Sequence, residues 1–149
     1  MEVVTQFSVF LVNKPGILAQ VARRLAQTKI NVVAMTMMDS SEHGVLRLVA
    51  GEPDKTRAAL AELNLPTTET DVLVVEMANR PGALADVCSR LAEAHINISY
   101  AYCTTGARGG KTQGIFKVAD TKKAMKLLKT PGDKRRDMNR KLRRPAVLR

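Results

Sequence analysis

A stretch of nineteen residues written twice constrains this chain more than any other feature. NKPGILAQVARRLAQTKIN, residues 13–31, returns as NRPGALADVCSRLAEAHIN, residues 79–97, at a constant offset of 66 and without a gap. Asn13, Pro15, Gly16, Leu18, Ala19, Val21, Arg24, Leu25, Ala26, Ile30 and Asn31 recur unchanged, and Lys14 becomes Arg80. Such a chain reads as two copies of one small module. A module of this size buries too little core to stand alone, so copy is expected to pack on copy.

Within each copy the elements follow from periodicity. Pro15 and Pro81 lack the N–H that a first helical turn leaves unpaired and hold φ near the helical value, so each predicts the opening position of a helix. Leu18, Val21, Ala22, Leu25 and Ala26, and then Leu84, Val87, Cys88, Leu91 and Ala92, keep the spacing of one apolar helical stripe. The β-rich runs QFSVFLV and DVLVVEM precede these helices, and INVVAMTMM and INISYAY follow them. The first strand, residues 3–12, is too continuously apolar for a face exposed to water and suits a central position. Third strands are expected at 45–50 and 114–119, and second helices at 54–63 and 121–128, the latter capped by Asp120. Residues 65–70 would make a fourth, edge strand of copy one. In copy two the corresponding stretch is TPGDKRRDMNRKLRRPAVLR, with no recognisable strand.

The order strand, helix, strand, strand, helix, strand is a ferredoxin-like plait. The expected fold is therefore α+β: two tandem βαββαβ modules, antiparallel sheets with helices on one face, packed pseudo-symmetrically. Residues 1–70 form the first module, 71–130 the second, and 131–149 a basic tail expected to be disordered.

The loop ahead of each repeated helix is where chemistry is possible. Gly16 and Gly82 carry no Cβ, so a partner can approach the backbone beside the first free N–H groups of the helix. Orphan donors and the positive end of the helix dipole together favour a carboxylate or phosphate. Asn13 and Asn79 add side chains that both donate and accept. A structural reading stands beside this one: Asn is a favoured N-cap, Pro-Gly is ordinary turn punctuation, and Asn31 and Asn97 suit a helix exit.

The formal net charge of +10 is unevenly placed. Residues 120–149 hold twelve Lys or Arg against Asp120, Asp133 and Asp137, leaving the rest of the chain nearly neutral. No apolar run approaches the roughly 18 residues of a membrane span. The chain opens on Met1, Glu2 and a strand, without the features of a secretory leader, and Cys88 and Cys103 are too few for a disulfide framework. A reduced, cytoplasmic setting is expected.

With Asn-[Lys/Arg]-Pro-Gly ahead of the first helix and Ile-Asn opening the second strand, both copies resemble the ACT domain, a small regulatory amino-acid-binding module. The resemblance covers residues 3–128. It implies a ligand at an interface between two domains, held by the loop of one and the second strand of its neighbour. Carried over, Asn13, Pro15, Gly16, Ile17 and Leu18 would face Asn97, and Asn79, Pro81, Gly82, Ala83 and Leu84 would face Asn31. The ligand's carboxylate would lie on the helix N-terminus and its ammonium against Asn carbonyls. Serine-sensing members have a His two residues before the Asn; Leu11 and Met77 stand there, so serine is not implied. Two copies alone resemble stand-alone tandem ACT proteins, implying a regulatory or sensing role, a homodimer, and a regulated enzyme or transcription factor as partner.

Other classes fare less well. Neither His43, in a hairpin turn, nor His95, whose repeat partner is Lys29, belongs to a catalytic or metal cluster, so no enzyme, metal or cofactor is expected. The glycines at 106, 109, 110 and 114, with Arg108 and Lys111, lack phosphate-loop spacing and join strand to strand. Nucleic acid or another anion is the rival ligand, through the basic tail. Against it, Tyr100 and Tyr102 are the only close aromatic pair, and the stacking pattern of RNA-binding plaits is missing.

Overall fold

A computed structural model describes residues 1–38, 43–105 and 110–129. Ten elements run β1 (Glu2–Val12), α1 (Ile17–Gln27), β2 (Val32–Met38), β3 (His43–Ala50), α2 (Pro53–Ala61), β4 (Thr67–Ala78), α3 (Ala83–Glu93), β5 (Ile98–Thr105), β6 (Lys111–Val118) and α4 (Thr121–Lys129). All six strands join one antiparallel sheet in the order β2-β3-β1-β4-β6-β5. The plait appears twice, as the repeat requires. The basic tail, 131–149, and residues 106–109 of the glycine-bearing loop lie outside the described residues.

The two copies share their central strands. Residues 65–70 were expected as a separate edge strand, but Thr67–Ala78 is a single interior strand. Its first part pairs with β1 and its last part with β6. In the same ladder Glu2, Val3 and Val4 lie opposite Val74, Leu73 and Val72. Shifted by the repeat offset, those pairs match the ones Thr68, Glu69 and Thr70 make with Ser8, Phe7 and Gln6. The start of β1 thus occupies the fourth-strand place beside copy two, which local sequence after α4 does not fill.

Alternation along the strands divides the core by face. Phe7, Val9, Leu11, Leu46 and Leu48 are buried with Val21 and Leu25 of α1 and Leu60 of α2. Leu73, Val75, Phe116 and Val118 are buried with Val87 and Leu91 of α3 and Ala124 of α4. All four helices therefore cover one face. The other face curls until the edge strands β2 and β5 approach each other, enclosing Ala34, Val49, Val72, Val74 and Ile115 in a third cluster. β1 is central, as its apolar run suggested, yet Phe10 and Val12 remain 41% and 50% exposed because the curl does not reach them.

At the heart of this helix-free face lies Gln6, fully buried. Its Nε2 donates to the Tyr100 hydroxyl at 2.7 Å, and its Oε1 accepts from the Tyr102 hydroxyl at 3.0 Å. Arg47 stacks over the Tyr100 ring, 3.7 Å from its centroid. A cation against a π face and a satisfied amide thus tie β1 and β3 to β5 across the modules. The tyrosines share one face, but both are engaged inward rather than presented as a base-stacking platform.

Helix boundaries show where local chemistry overrode the expected starts. Gly16 and Gly82 have φ of 92° and 87° and serve as N-caps, so α1 and α3 begin only after them. Pro15 and Pro81 consequently lie in the turn, before the helix. At the exits the left-handed residues are Lys29 and His95, with φ of 56° and 55°, rather than Asn31 and Asn97. Ile30 N donates to Leu25 O and Lys29 N to Ala26 O, and Ile96 and His95 repeat the pattern, closing both helices with a Schellman motif. α4 is capped as expected, Lys123 N donating to Asp120 Oδ1 at 2.8 Å.

Candidate ligand-binding corners

Each corner is built by a strand end, a glycine turn and a helix start. Because Gly16 and Gly82 are caps with no side chain, neither supplies a side-chain capping bond to its helix, while Ala83 N at the start of α3 donates to Arg80 O at 3.3 Å. A helix start whose cap residue has no side chain, at the positive end of the dipole, is an arrangement that favours an anion. Open space surrounds Gly16: a Cβ built there would meet nothing within 4 Å. At Gly82 the nearest atom to such a Cβ is Arg80 Nη1, at 3.5 Å. Arg80 also donates to Pro81 O and pairs with Asp86 at 2.9 Å, which holds its guanidinium at the corner. Leu18 and Leu84 are 38% and 46% exposed, apolar flanks that a bound molecule can cover.

The second corner opens onto a cavity of about 190 Å³ lined by Met77, Ala78, Asn79, Arg80, Ala83, Leu84, Cys103 and Thr112. Of the five residues expected there from sequence, Asn79, Ala83 and Leu84 line the cavity, and Pro81 and Gly82 lie in the turn between them. Met77, Cys103, Arg80 and Thr112 were not expected. By strand register Thr112, opposite Met77, matches Gly44, opposite Leu11, because the longer loop of copy two shifts the offset between β3 and β6 to 68, so its hydroxyl has no counterpart in the first copy. Burial, and then Cys88, push the Cys103 thiol above its ordinary pKa, keeping it protonated and a poor nucleophile at neutral pH.

Asn31 and Asn97 do not meet the corners within one chain. Asn97 precedes Ile98, which pairs with Val118, and the ladder through Phe116 and Leu73 sets that level beside the start of β1. Asn13 follows the far end of β1, about seven residues on, or roughly 24 Å along the strand. The same separation holds between Asn31 and Asn79 by the repeat. Asn97 instead lines a hollow of about 590 Å³ with Cys88, Ala92, His95, Ile96 and Ile98, between α3 and β5. Asn31 O accepts from Gly51 N at 3.2 Å.

Among the described residues, no cluster of His, Cys, Asp or Glu has the makings of a metal site, and no helix is long and apolar enough to cross a membrane. A family model described as an ACT domain pair matches residues 1–131. The chain belongs to this family. Protein BT0572 from Bacteroides thetaiotaomicron is 31% identical to this ACT pair over 85% of this chain and 87% of that one, with a TM-score of 0.79. The ligand-free regulatory subunit of aspartate kinase from Thermus thermophilus superposes with a TM-score of 0.65 at 16% identity, over 87% and 94% of the two chains. Its counterpart from Thermus flavus gives 0.58 at 20% identity over the same shares. Comparison with curated proteins finds no match.

Proposed function

We propose that this ACT pair is a non-catalytic regulatory protein that binds a small amino acid at its glycine corners and acts in the cytoplasm on an enzyme or transcription factor. The observation that carries the reading is the bare helix start at each corner: a left-handed glycine cap, open backbone and no side-chain cap. Such a start offers a carboxylate several N–H groups and a positive dipole end without any reactive group. Both aspartate kinase subunits that share this fold are regulatory, one of them in a ligand-free form, which supports a regulatory role for this chain.

The separation of corner and Asn in one chain favours a homodimer in this reading. Asn13, Pro15, Gly16, Ile17 and Leu18 of one copy would then meet Asn97 of another, and Asn79, Pro81, Gly82, Ala83 and Leu84 would meet Asn31. Edge strand β2 exposes Val32, Met35, Met37 and Met38, an apolar margin suited to such contact. Titration calorimetry and thermal shift across the common amino acids test the proposal. Binding of at least one small amino acid is expected at millimolar concentration or below. No heat and no shift for any of them would leave these corners as architecture alone.

A further inference from the structure

We infer that the second corner alone seats the ligand, and that it selects a neutral amino acid with a short side chain ending in a hydroxyl or carboxamide. This rests on the amino-acid-binding reading above and narrows it to one site and one ligand class.

The decisive atom is Thr112 Oγ1. It is buried and has no hydrogen-bond partner among the described residues, on a residue only 8% exposed. Thr112 lies opposite Met77 across the β4–β6 ladder and lines the cavity that opens at Gly82. Buried hydroxyls are almost always paired, so an unpaired one at a cavity wall marks where a guest's polar atom belongs. The remaining wall there is Ala83, Leu84 and Cys103, uncharged and small enough to leave room. A cationic side chain would be stripped of water with no opposite charge to meet it, and an anionic one would compete with the ligand's own carboxylate for Arg80. A volume of about 190 Å³ also lies below the 300–1,000 Å³ range typical of larger ligands.

At the mouth the chemistry is complementary. Arg80 Nη1 stands beside Gly82, so the ligand carboxylate meets a guanidinium as well as the start of α3. Carboxylate at the mouth and a hydrogen-bonding tip at Thr112 fix both ends of a short molecule.

The first corner has lost this room. The repeat puts Ile17 where copy two has Ala83 and Met37 for Cys103, and strand register puts Gly44 where copy two has Thr112. Ile17 packs on the first core cluster, and Met37 Cε lies 3.1 Å from where a Cβ on Gly44 would stand. The corresponding space is taken by the larger side chains of Ile17 and Met37, and Gly44 offers no side-chain polar atom to a ligand.

Calorimetry on the full chain with near-isosteric pairs tests this: threonine against valine, and asparagine against leucine. The expected result is one ligand per chain and a preference of about tenfold or more for the polar member of at least one pair. Thr112→Val, which keeps shape and fold, should erase that preference while leaving the apolar member's affinity unchanged. Ala83→Ile, which copies the first corner, should abolish binding. Two ligands per chain, equal affinities within both pairs, or a preference that survives Thr112→Val overturns the inference and leaves amino-acid binding standing. Absence of binding by every amino acid overturns the underlying reading, and this inference with it.

Discussion

Tyr102→Phe isolates the hydrogen bond on which the helix-free face closes. In the wild type Gln6 is fully buried and its Oε1 accepts from the Tyr102 hydroxyl at 3.0 Å. Removing that hydroxyl leaves a buried carbonyl without its donor, a loss of about 1–3 kcal/mol. For a chain of this length each kcal/mol corresponds to about 2–4 °C, so the melting temperature should fall by roughly 2–12 °C. Gln6→Leu removes the amide altogether and places an apolar side chain beside Val49, Val72 and Ile115, and the repeat already has Val72 at the matching position. In that background Tyr102→Phe should cost less than about 0.5 kcal/mol, since no orphaned acceptor remains. Urea unfolding of the four proteins in the cycle gives the coupling. An equal cost for Tyr102→Phe in both backgrounds would show that lost ring packing, not the hydrogen bond, sets the effect. Burial, followed by the neighbouring Tyr100, raises the Tyr102 pKa against the lowering influence of Arg47. The raised value means that the stabilisation is intact below the ordinary tyrosine pKa of about 10 and is lost as pH rises beyond it, so Tyr102→Phe should flatten the alkaline limb.

Lys29→Gly and His95→Gly should each stabilise by about 1 kcal/mol, because glycine reaches the left-handed exit without a Cβ clash; differential scanning calorimetry reads the gain. Gly114→Ala should cost about 1–3 kcal/mol, since a Cβ there would stand 2.6 Å from Phe116 Cε2 and 2.9 Å from Met77 Cε. Hydrogen bonding to Arg57 lowers the Glu69 pKa. Its contribution is therefore present above the ordinary glutamate range and lost as pH falls through the lowered value, and Glu69→Gln should make the acid limb shallower in melts at low salt.

How much was legible from sequence depends on how local each cause is. The apolar stripes of α1 and α3, the Asp120 cap and the repeat rest on residues a few positions apart, and they gave both helices and the double plait. The helix starts were misplaced because Pro15 and Pro81 suggest N1 while Gly16 and Gly82 take a left-handed turn first. The joining of residues 67–78 into one strand, with Glu2–Val4 beside Val72–Val74, is a long-range pairing that no window of sequence contains. Gln6 and Thr112 lie outside the repeated motif for a related reason: each is a polar residue whose counterpart in the other copy, Val72 or Gly44, has no polar side chain. Comparison of the copies face by face, rather than motif by motif, exposes both. The corner residues Asn13, Gly16, Asn79 and Gly82 were legible as a motif, but their distance from Asn97 and Asn31 follows only from strand register.

Shared strands also limit how ligand occupancy can be transmitted. β1 runs into the first corner and β4 into the second, and the two are paired over most of their length, flanked by β3 and β6. Sliding one along the other by a single residue would turn its apolar side chains to the opposite face, so the centre of the sheet has no second arrangement of comparable energy. A ligand shifts an equilibrium only between states for which its affinities differ. If the sheet centre cannot switch, the states must differ at the sheet margins, where β2 exposes Val32, Met35, Met37 and Met38 and the hollow beside Asn97 opens between α3 and β5. Hydrogen exchange with and without a bound amino acid should therefore change at the corners, β2 and the start of β5, accompanied by a shift in sedimentation. Amides in the paired centre of β1 and β4 should keep their rates. Altered exchange through that centre, with β2 and β5 unaffected, would mean that the two modules move against each other inside one chain and that the continuous strand is not the rigid spine inferred from its register.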